Sequence, residues 1–196
     1  MNFLAHSYLS KNDDESVIGN MIADFVKGRL KQQYSPGILA GIEFHRKIDS
    51  FTDTHPIFLD CKQLISDENR RFAGVILDIF FDHFLAVNWN KYSSIPLEQH
   101  AQHVYSILQK NQHNLTLAFQ LILPSMIKNN WFVSYKKIKV IGYALDNVSN
   151  RISKENSVSD AVNDLQDNYG ELEERFFAFF GELEEYADDI GYGISS

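Results

Sequence analysis

Residues 76–86 constrain this chain more than any other stretch, because they are apolar on every side of a helix except for three polar side chains. A helix without a polar face is normally buried. Asp78 and Asp82 are four residues apart and share one face of such a helix, with His83 about 100° further round. Two like charges buried together need a cation or a counter-charge. The stretch therefore predicts a metal or catalytic site, or else a core salt bridge to the nearby Arg70-Arg71 pair.

The composition favours a single all-α domain that covers residues 1–196. A chain of 196 residues, 44% of them apolar, can bury a proper core. Its four prolines and ten glycines mark few turns, which suits long helices better than a many-stranded sheet. The spacing of the apolar residues predicts a bundle of about seven or eight helices.

The bulk properties also limit the classes of function. Cys61 is the only cysteine, which excludes an internal disulfide and a cysteine-based zinc site and fits a reducing compartment. The first residues lack the basic leader of a signal peptide, and no apolar run approaches the roughly 18 residues that span a bilayer. We therefore expect a soluble cytoplasmic protein without a membrane partner. The net charge of −8 argues against a nucleic-acid partner.

The charge is unevenly distributed along the sequence. From Gln99 to Leu145 there is no aspartate or glutamate, and this stretch contains five lysines: Lys110, Lys128, Lys136, Lys137 and Lys139. From Glu155 onward there are twelve acidic residues against the single basic residue Arg175. A basic stretch in an acidic protein can hold an acidic partner locally, although an uneven surface without any partner would have the same composition.

A second group of metal-binding residue types lies on a helix that Ser35 and Pro36 begin, as N-cap and first helical residue. His45, Asp49 and Asp53 follow at intervals of four and form one stripe on that helix. A histidine and an aspartate four residues apart can share a metal ion, as the two histidines of a zincin helix do. A proline three residues after Asp53 ends the helix, so Asp53 could equally be a turn carboxylate.

Polar residues also interrupt two apolar segments near the amino terminus. Asn20 and Asp24 are four residues apart in the largely apolar segment 17–28. His6 lies among apolar neighbours in a short helix over residues 1–9, where it is either a core residue or a ligand. Four separate helices thus carry carboxylates and imidazoles: His6, Asp24, His45, Asp49, Asp78, Asp82 and His83, with Asn20 as a further candidate.

Such a set suits Mn²⁺, Mg²⁺ or Fe²⁺ better than structural zinc, because most of its ligand atoms are oxygens and only a few are imidazole nitrogens. These ions polarise phosphoryl oxygens and lower the pKa of bound water. The set therefore predicts phosphoester hydrolysis if the side chains converge, and their spacing alone does not show that they do.

The second half of the chain gives three structural expectations. Three histidines among Gln and Asn residues are predicted on the solvated surface: His100, His103 and His113. An apolar helix over residues 115–123 is predicted to stop at Pro124. The last long helix is predicted to start near Val158 and to run past Phe180, with acidic residues on its outer face.

A series of motifs, in order along nearly the whole chain, resembles one known family. These motifs are Met1-Asn2-Phe3-Leu4-Ala5-His6, Gly19-Asn20, Ala23-Asp24-Phe25-Val26, Ala40-Gly41-Ile42, His45-Arg46, Ile48-Asp49, Thr52-Asp53, Arg70-Arg71, Leu77-Asp78, Asp82-His83-Phe84-Leu85, Trp131, Tyr135 and Leu172-Glu173 with Phe176. With them the sequence resembles the acyl carrier protein phosphodiesterases, also called acyl carrier protein hydrolases. These are divergent members of the HD-domain phosphohydrolase superfamily.

The resemblance implies an all-helical HD-like fold and a hydrolase that uses a divalent metal, with Mn²⁺ as the family's usual ion. It implies holo-acyl carrier protein as the substrate. The bond cut would be the phosphodiester between 4′-phosphopantetheine and the carrier serine, which gives the apo-carrier and the free prosthetic group. The carrier is strongly acidic, and this gives a partner-binding role to four of the lysines: Lys128, Lys136, Lys137 and Lys139.

The resemblance also suggests roles for the polar residues. Five of them would hold or frame the metal, with His6 as a ligand or as an orienting neighbour: Asp24, His45, Asp49, Asp78 and Asp82. His83, beside Asp82, would be either a ligand or the acid that protonates the leaving serine oxygen. Arg46 would bind a phosphate oxygen, or else form a surface ion pair. The usual HD order places His before Asp, whereas this chain has Asp82-His83, so ligand assignments from ordinary HD proteins do not transfer directly.

Two other functions fit the same residues. A hydrolase of nucleotides or other small phosphoesters would use the same metal site without a carrier for the lysines to hold. A helical binding module without catalysis would use the acidic residues in internal salt bridges, and its stability would not respond to chelators.

Overall fold

Helices form all of the regular secondary structure in residues 1–10, 13–28 and 33–191, the parts of the chain that the computed structural model describes. The all-α prediction is confirmed. The α-helices of these ranges are α1 (Phe3–Leu9), α2 (Asp14–Ile22), α3 (Pro36–Thr54), α4 (Pro56–Cys61), α5 (Ala73–Val87), α6 (Leu97–Lys110), α7 (Leu117–Lys128), α8 (Trp131–Ser134), α9 (Ile138–Ser149), α10 (Val162–Asp167) and α11 (Tyr169–Ile190). They outnumber the predicted seven or eight because α4, α8 and α10 are too short, at six, four and six residues, to show an apolar period.

Helix α5 lies in the core, as its apolar sequence predicted. Eleven of its fifteen residues are buried. Helix α11 packs along it through aromatic rings, with the ring of Phe176 centred 5.5 Å from that of Phe81 and 5.8 Å from that of Phe84. The buried apolar residues of the described ranges form one contiguous cluster, from Met1 to Ala187. None of the helices in these ranges combines the length and the hydropathy that a bilayer-crossing segment needs.

Helices α2 and α3 cross closely because each has a glycine at the contact. A Cβ atom on Gly19 would lie 2.8 Å from the Cα atom of Gly41, and a Cβ atom on Gly41 would lie 2.7 Å from the carbonyl oxygen of Ser16. Both separations are shorter than a real Cβ contact, so only glycine allows the two backbones to approach this far. The crossing brings Asp24, in the 3₁₀ turn after α2, to the middle of α3.

Helix α1 is held at its first turn by a carboxylate of α5. Asp82 accepts a hydrogen bond from the amide of Leu4 at 2.8 Å and one from the amide of Ala5 at 3.0 Å. The first N–H groups of a helix have no partner within the helix, and a negative charge at this end also complements the helix dipole. Because α1 has only seven residues and would not be stable alone, this contact fixes where it lies.

Two predicted helix limits are wrong. Helix α7 continues through Pro124 to Lys128. The proline removes one helical hydrogen bond, and the burial of Leu123 and Met126 on either side of it offsets that loss. The predicted last helix is divided at Asn168, whose side-chain amide donates to the carbonyl of Leu64 at 3.1 Å and so fixes the break between α10 and α11.

The surface prediction is wrong for one of the three histidines. The Nε2 atom of His100 lies 2.9 Å from the hydroxyl of the buried Ser7, and its ring is centred 4.8 Å from that of Trp89. His103 and His113 are exposed, as predicted. The polar neighbours of His100 in the sequence gave no sign that α1 and Trp89 would cover it.

We expect Gly41→Ala to lower the free energy of unfolding by about 2 kcal/mol, because the added methyl group would press on the backbone of α2. Gly181→Ala is the matched control in α11, where a Cβ atom meets nothing within 4 Å. The control should raise the free energy of unfolding by about 0.5–1 kcal/mol, the usual gain from replacing a helical glycine. Urea denaturation measures both changes. Equal stabilities for the two variants would contradict the close crossing.

We expect Asp82→Ala to lower the free energy of unfolding by about 2–4 kcal/mol, because the buried amides of Leu4 and Ala5 would lose their acceptors. Asn2→Ala removes the other cap of α1, which is only half-buried, and should cost about 1 kcal/mol. Urea denaturation again gives both values. If Asp82→Ala were no less stable than Asn2→Ala, the carboxylate would not be what holds α1.

Candidate metal centre

Three side chains with metal-binding atoms meet where α1 lies against α3. They are His6 of α1 and His45 and Asp49 of α3, and one ligand atom from each lies within 4.8 Å of the others. The Nε2 atom of His6 is 3.1 Å from Oδ1 of Asp49, and the Nε2 atom of His45 is 3.1 Å from Oδ2 of the same carboxylate. Asp49 therefore bridges the two imidazoles. The predicted pairing of His45 with Asp49 on one helix face is confirmed.

The two imidazole rings are stacked, with centroids 3.6 Å apart and planes 15° from parallel. Burial and the neighbouring His45 ring lower the pKa of His6 to about 4. Burial also works against charge on His45, but its hydrogen bonds to Asp24 and Asp49 outweigh this and raise its pKa to about 9. These two pKa values place a positive charge on the His45 ring and leave the His6 ring neutral near pH 7.

Asp24 forms the exposed side of the cluster. Its Oδ1 atom lies 3.2 Å from the Nε2 atom of His45, and this hydrogen bond lowers the pKa of Asp24. The side chain of Asp24 is 65% exposed, whereas that of His45 is 5% exposed. The cluster thus has a buried imidazole side and an acidic side that faces solvent, and a substrate would meet it from the acidic side.

Asp78 is linked to the cluster through the amino terminus of the chain. The ammonium group of Met1 lies 2.9 Å from Oδ1 of Asp78 and 3.4 Å from Oδ1 of Asp49. Burial alone would lower the pKa of this ammonium, but the two carboxylates raise it to about 10. Sequence reasoning missed this cation because a backbone amine has no residue-type signal. The predicted salt bridge to an arginine is wrong, since Arg70 pairs with Asp67 and Arg71 donates to the carbonyl of Glu155.

Asp82 and His83 form hydrogen bonds with residues other than His6 and His45. Both oxygens of Asp82 accept the amides of α1, and burial raises its pKa to about 7 despite these bonds. The Nδ1 atom of His83 lies 2.7 Å from the carbonyl oxygen of Tyr135, and its Nε2 atom lies 3.0 Å from the hydroxyl of Tyr169. His83 therefore joins α5 to the residue that follows α8 and to α11.

Arg46 lies at the solvent-facing rim of the cluster. It follows His45 on α3, is exposed, and donates to the carbonyl of Val26 at 3.4 Å. Val26 is two residues beyond Asp24 in the chain. The guanidinium of Arg46, which contacts Val26, is therefore on the same side of the cluster as the exposed carboxylate of Asp24. No carboxylate of the described ranges pairs with Arg46, which removes the predicted alternative of a surface ion pair.

The donor set fits a divalent cation. Two ligands at right angles around an ion with bonds of about 2.1 Å lie about 3 Å apart. The three contacts among His6, His45, Asp49 and Asp24 have this spacing, at 3.1, 3.1 and 3.2 Å. The side chain of Asn20, one helical turn before Asp24, is buried and has no hydrogen-bond partner within the described residues. The expected choice among Mn²⁺, Mg²⁺ and Fe²⁺ stays a prediction.

The comparisons with known proteins agree on one family. The family model described as "Acyl carrier protein phosphodiesterase" matches residues 1–183. A relative of that name from Photorhabdus laumondii subsp. laumondii is 33% identical over 190 residues, 96% of either chain. One from Yersinia enterocolitica is also 33% identical, over 96% of this chain and 98% of its own.

A relative from a third genus has the same name, but no solved structure is similar to the chain. The relative of the same name from Serratia proteamaculans is 32% identical over 190 residues, 96% of this chain and 98% of its own. No solved structure matches the chain at a significant level, so the HD-like topology stays a prediction. The chain belongs to the acyl carrier protein phosphodiesterase family.

Proposed function

We propose that this protein is a metal-dependent phosphodiesterase that hydrolyses the bond between 4′-phosphopantetheine and the serine of holo-acyl carrier protein. The observation that supports the proposal is the convergence of His6, His45 and Asp49 from two helices in a chain of this family. The products would be the apo-carrier and free 4′-phosphopantetheine.

We assign the metal to His6, His45 and Asp49, with Asp24 and Asp78 as the carboxylates that complete or frame its surroundings. Mn²⁺ is the first choice of ion, with Mg²⁺ and Fe²⁺ as alternatives. When bound there, such an ion would polarise the phosphoryl oxygens and supply hydroxide near neutral pH. Because Asp49 faces both imidazoles, its two oxygens fix the orientation of both rings before any ion binds.

The residues around this centre have separable roles in the proposal. Arg46, at the exposed rim beside Asp24, would bind a phosphate oxygen of the substrate. Asp82 would act as a positioning residue, because it holds α1 and therefore His6. His83, predicted as a ligand or as the acid that protonates the leaving serine, contacts Tyr135 and Tyr169 with its two ring nitrogens, and the proposal gives it no metal-binding role.

The test is the intact mass of holo-acyl carrier protein after incubation with the wild-type enzyme and Mn²⁺. We expect loss of the whole phosphopantetheine group, and no loss when EDTA replaces the metal. His45→Ala should slow the reaction by at least about 100-fold, since it removes a ligand and the partner of Asp49. His103→Ala is the matched control, because His103 is exposed on α6 outside the centre, and its rate should equal that of the wild type.

The outcomes separate the parts of the proposal. Full activity in EDTA, with metal-free enzyme confirmed by elemental analysis, would refute the metal requirement and leave the substrate standing. An unchanged carrier mass with metal-loaded wild type would refute the substrate. Circular dichroism of His45→Ala shows whether its loss of activity occurs in a folded protein.

A further inference from the structure

The outer face of α7 carries the two most exposed large apolar side chains of the described residues. Leu117 is 80% exposed and Leu121 is 82% exposed, whereas the other large apolar side chains that reach solvent are between 38% and 55% exposed. The two leucines are four residues apart and so lie one above the other on successive turns. Neighbouring apolar side chains left in water on a rigid helix are typical of an interaction site.

These leucines belong to a continuous stripe. Leu117, Leu121, Pro124 and Lys128 follow at the intervals of a single helix face, and all four are exposed. We call this face the α7 stripe. The opposite side of the helix is fixed in the core by Phe119, so the stripe is presented on a rigid support.

Lysines, and no acidic residues, lie near the α7 stripe in the sequence. The stretch from Gln99 to Leu145, which contains no acidic residue, includes all of α7 and five lysines. All five lysines are exposed: Lys110, Lys128, Lys136, Lys137 and Lys139. Of these five lysines, only Lys136 has a carboxylate of the described residues within ion-pair distance, that of Glu98 at 3.4 Å. Such a surface is complementary to an acidic partner.

A cleft lies beside the stripe, between α6 and α7. It has a volume of about 300 Å³ and is lined by Gln109 of α6 and by Leu123, Pro124 and Lys128 of α7, among others. Two of these residues, Pro124 and Lys128, are also members of the stripe. The apolar stripe therefore continues into a recess that could accept a side chain of the partner.

The buried face of α7 connects the stripe to the metal centre. The ring of Phe119 is centred 6.1 Å from that of Phe3, at the start of α1, and 5.4 Å from that of Phe25. Phe25 directly follows Asp24 in the chain. The helix that carries the stripe thus packs, by its other face, against the residue that follows Asp24.

We propose that the α7 stripe docks acyl carrier protein, with Leu117 and Leu121 against apolar side chains of the carrier and the lysines against its carboxylates. This inference rests on the proposed function. The bond to be cut joins the phosphate directly to the carrier serine, so the carrier surface itself must come close to the metal centre. Phe119 of the same helix contacts Phe25, the residue after Asp24, so a carrier docked on α7 would reach the centre past the edge of this one helix.

The test compares the double variant L117S/L121S with L59S, which replaces another exposed leucine, 43% exposed on α4. Binding of apo-carrier, which is not turned over, is measured by calorimetry, and KM and kcat are measured with holo-carrier. We expect the double variant to bind apo-carrier at least about 10-fold more weakly and to raise KM to a similar degree, with little change in kcat. L59S should match the wild type. K128E should also weaken binding and reduce its dependence on salt.

The binding and turnover measurements test the docking surface and the proposed function separately. If L117S/L121S binds apo-carrier as tightly as the wild type, while the wild type hydrolyses holo-carrier, the inference is wrong and the proposed function stands. If the wild type binds the carrier through the α7 stripe but does not cut it, the proposed function alone fails. If sedimentation shows a wild-type dimer that L117S/L121S dissolves, with carrier binding unchanged, the stripe is an interface between two copies and the inference is again overturned.

Discussion

The hydrogen bonds from Asp82 to the first turn of α1 are the interaction on which the site depends. A carboxylate in the apolar core is costly unless its charge is satisfied, and so are two amides at a buried helix end. The carboxylate of Asp82 therefore needs the two amides as donors, and the amides need the carboxylate as acceptor. Helix α1 satisfies both groups in the position that it takes against α5. That position puts His6 against His45, because His6 directly follows the two bonded amides of Leu4 and Ala5. Asp82, which the sequence predicted as a metal ligand, thus positions α1 and with it the imidazole of His6.

Asp49 is the second residue around which the site is organised. It faces the imidazoles of His6 and His45 and the ammonium of Met1, so three proton-bearing groups share one carboxylate. A divalent cation bound here would replace the positive charge that the His45 ring holds beside Asp49. The close crossing of α2 and α3 at Gly41 completes the arrangement, because it lets Asp24 reach His45 from another element.

Local chemistry explains what could be predicted from the sequence. The ends of α3 follow from the Ser35 N-cap and from the proline at position 56, and the helical period then places His45 beside Asp49. The burial of α5 follows from its composition. Partners distant in sequence could not be predicted, because helix periodicity says which side chains share a face and not what that face meets. The amides that Asp82 accepts are 77 and 78 residues away, and the hydroxyl near His83 is 86 residues away.

The α7 stripe shows the same limit on the outside of the molecule. Leu117 and Leu121 look like core residues in the sequence, because α7 is apolar around much of its circumference. In the structure Phe119 and Leu123 fill the available core, and the leucines on the other side remain in water. Helix α7 is thus apolar both on the face that packs in the core and on the face that remains exposed.

The most direct test of the central claim is the position of the metal in crystals of the wild-type protein grown with Mn²⁺. An anomalous difference map identifies the ion independently of any assay. The account predicts a peak about 2.0–2.3 Å from the Nε2 atoms of His6 and His45 and from an oxygen of Asp49. A peak elsewhere, for example at the pair formed by His55 and Glu182, or no peak in crystals of active protein, would contradict the assignment of this cluster as the metal centre.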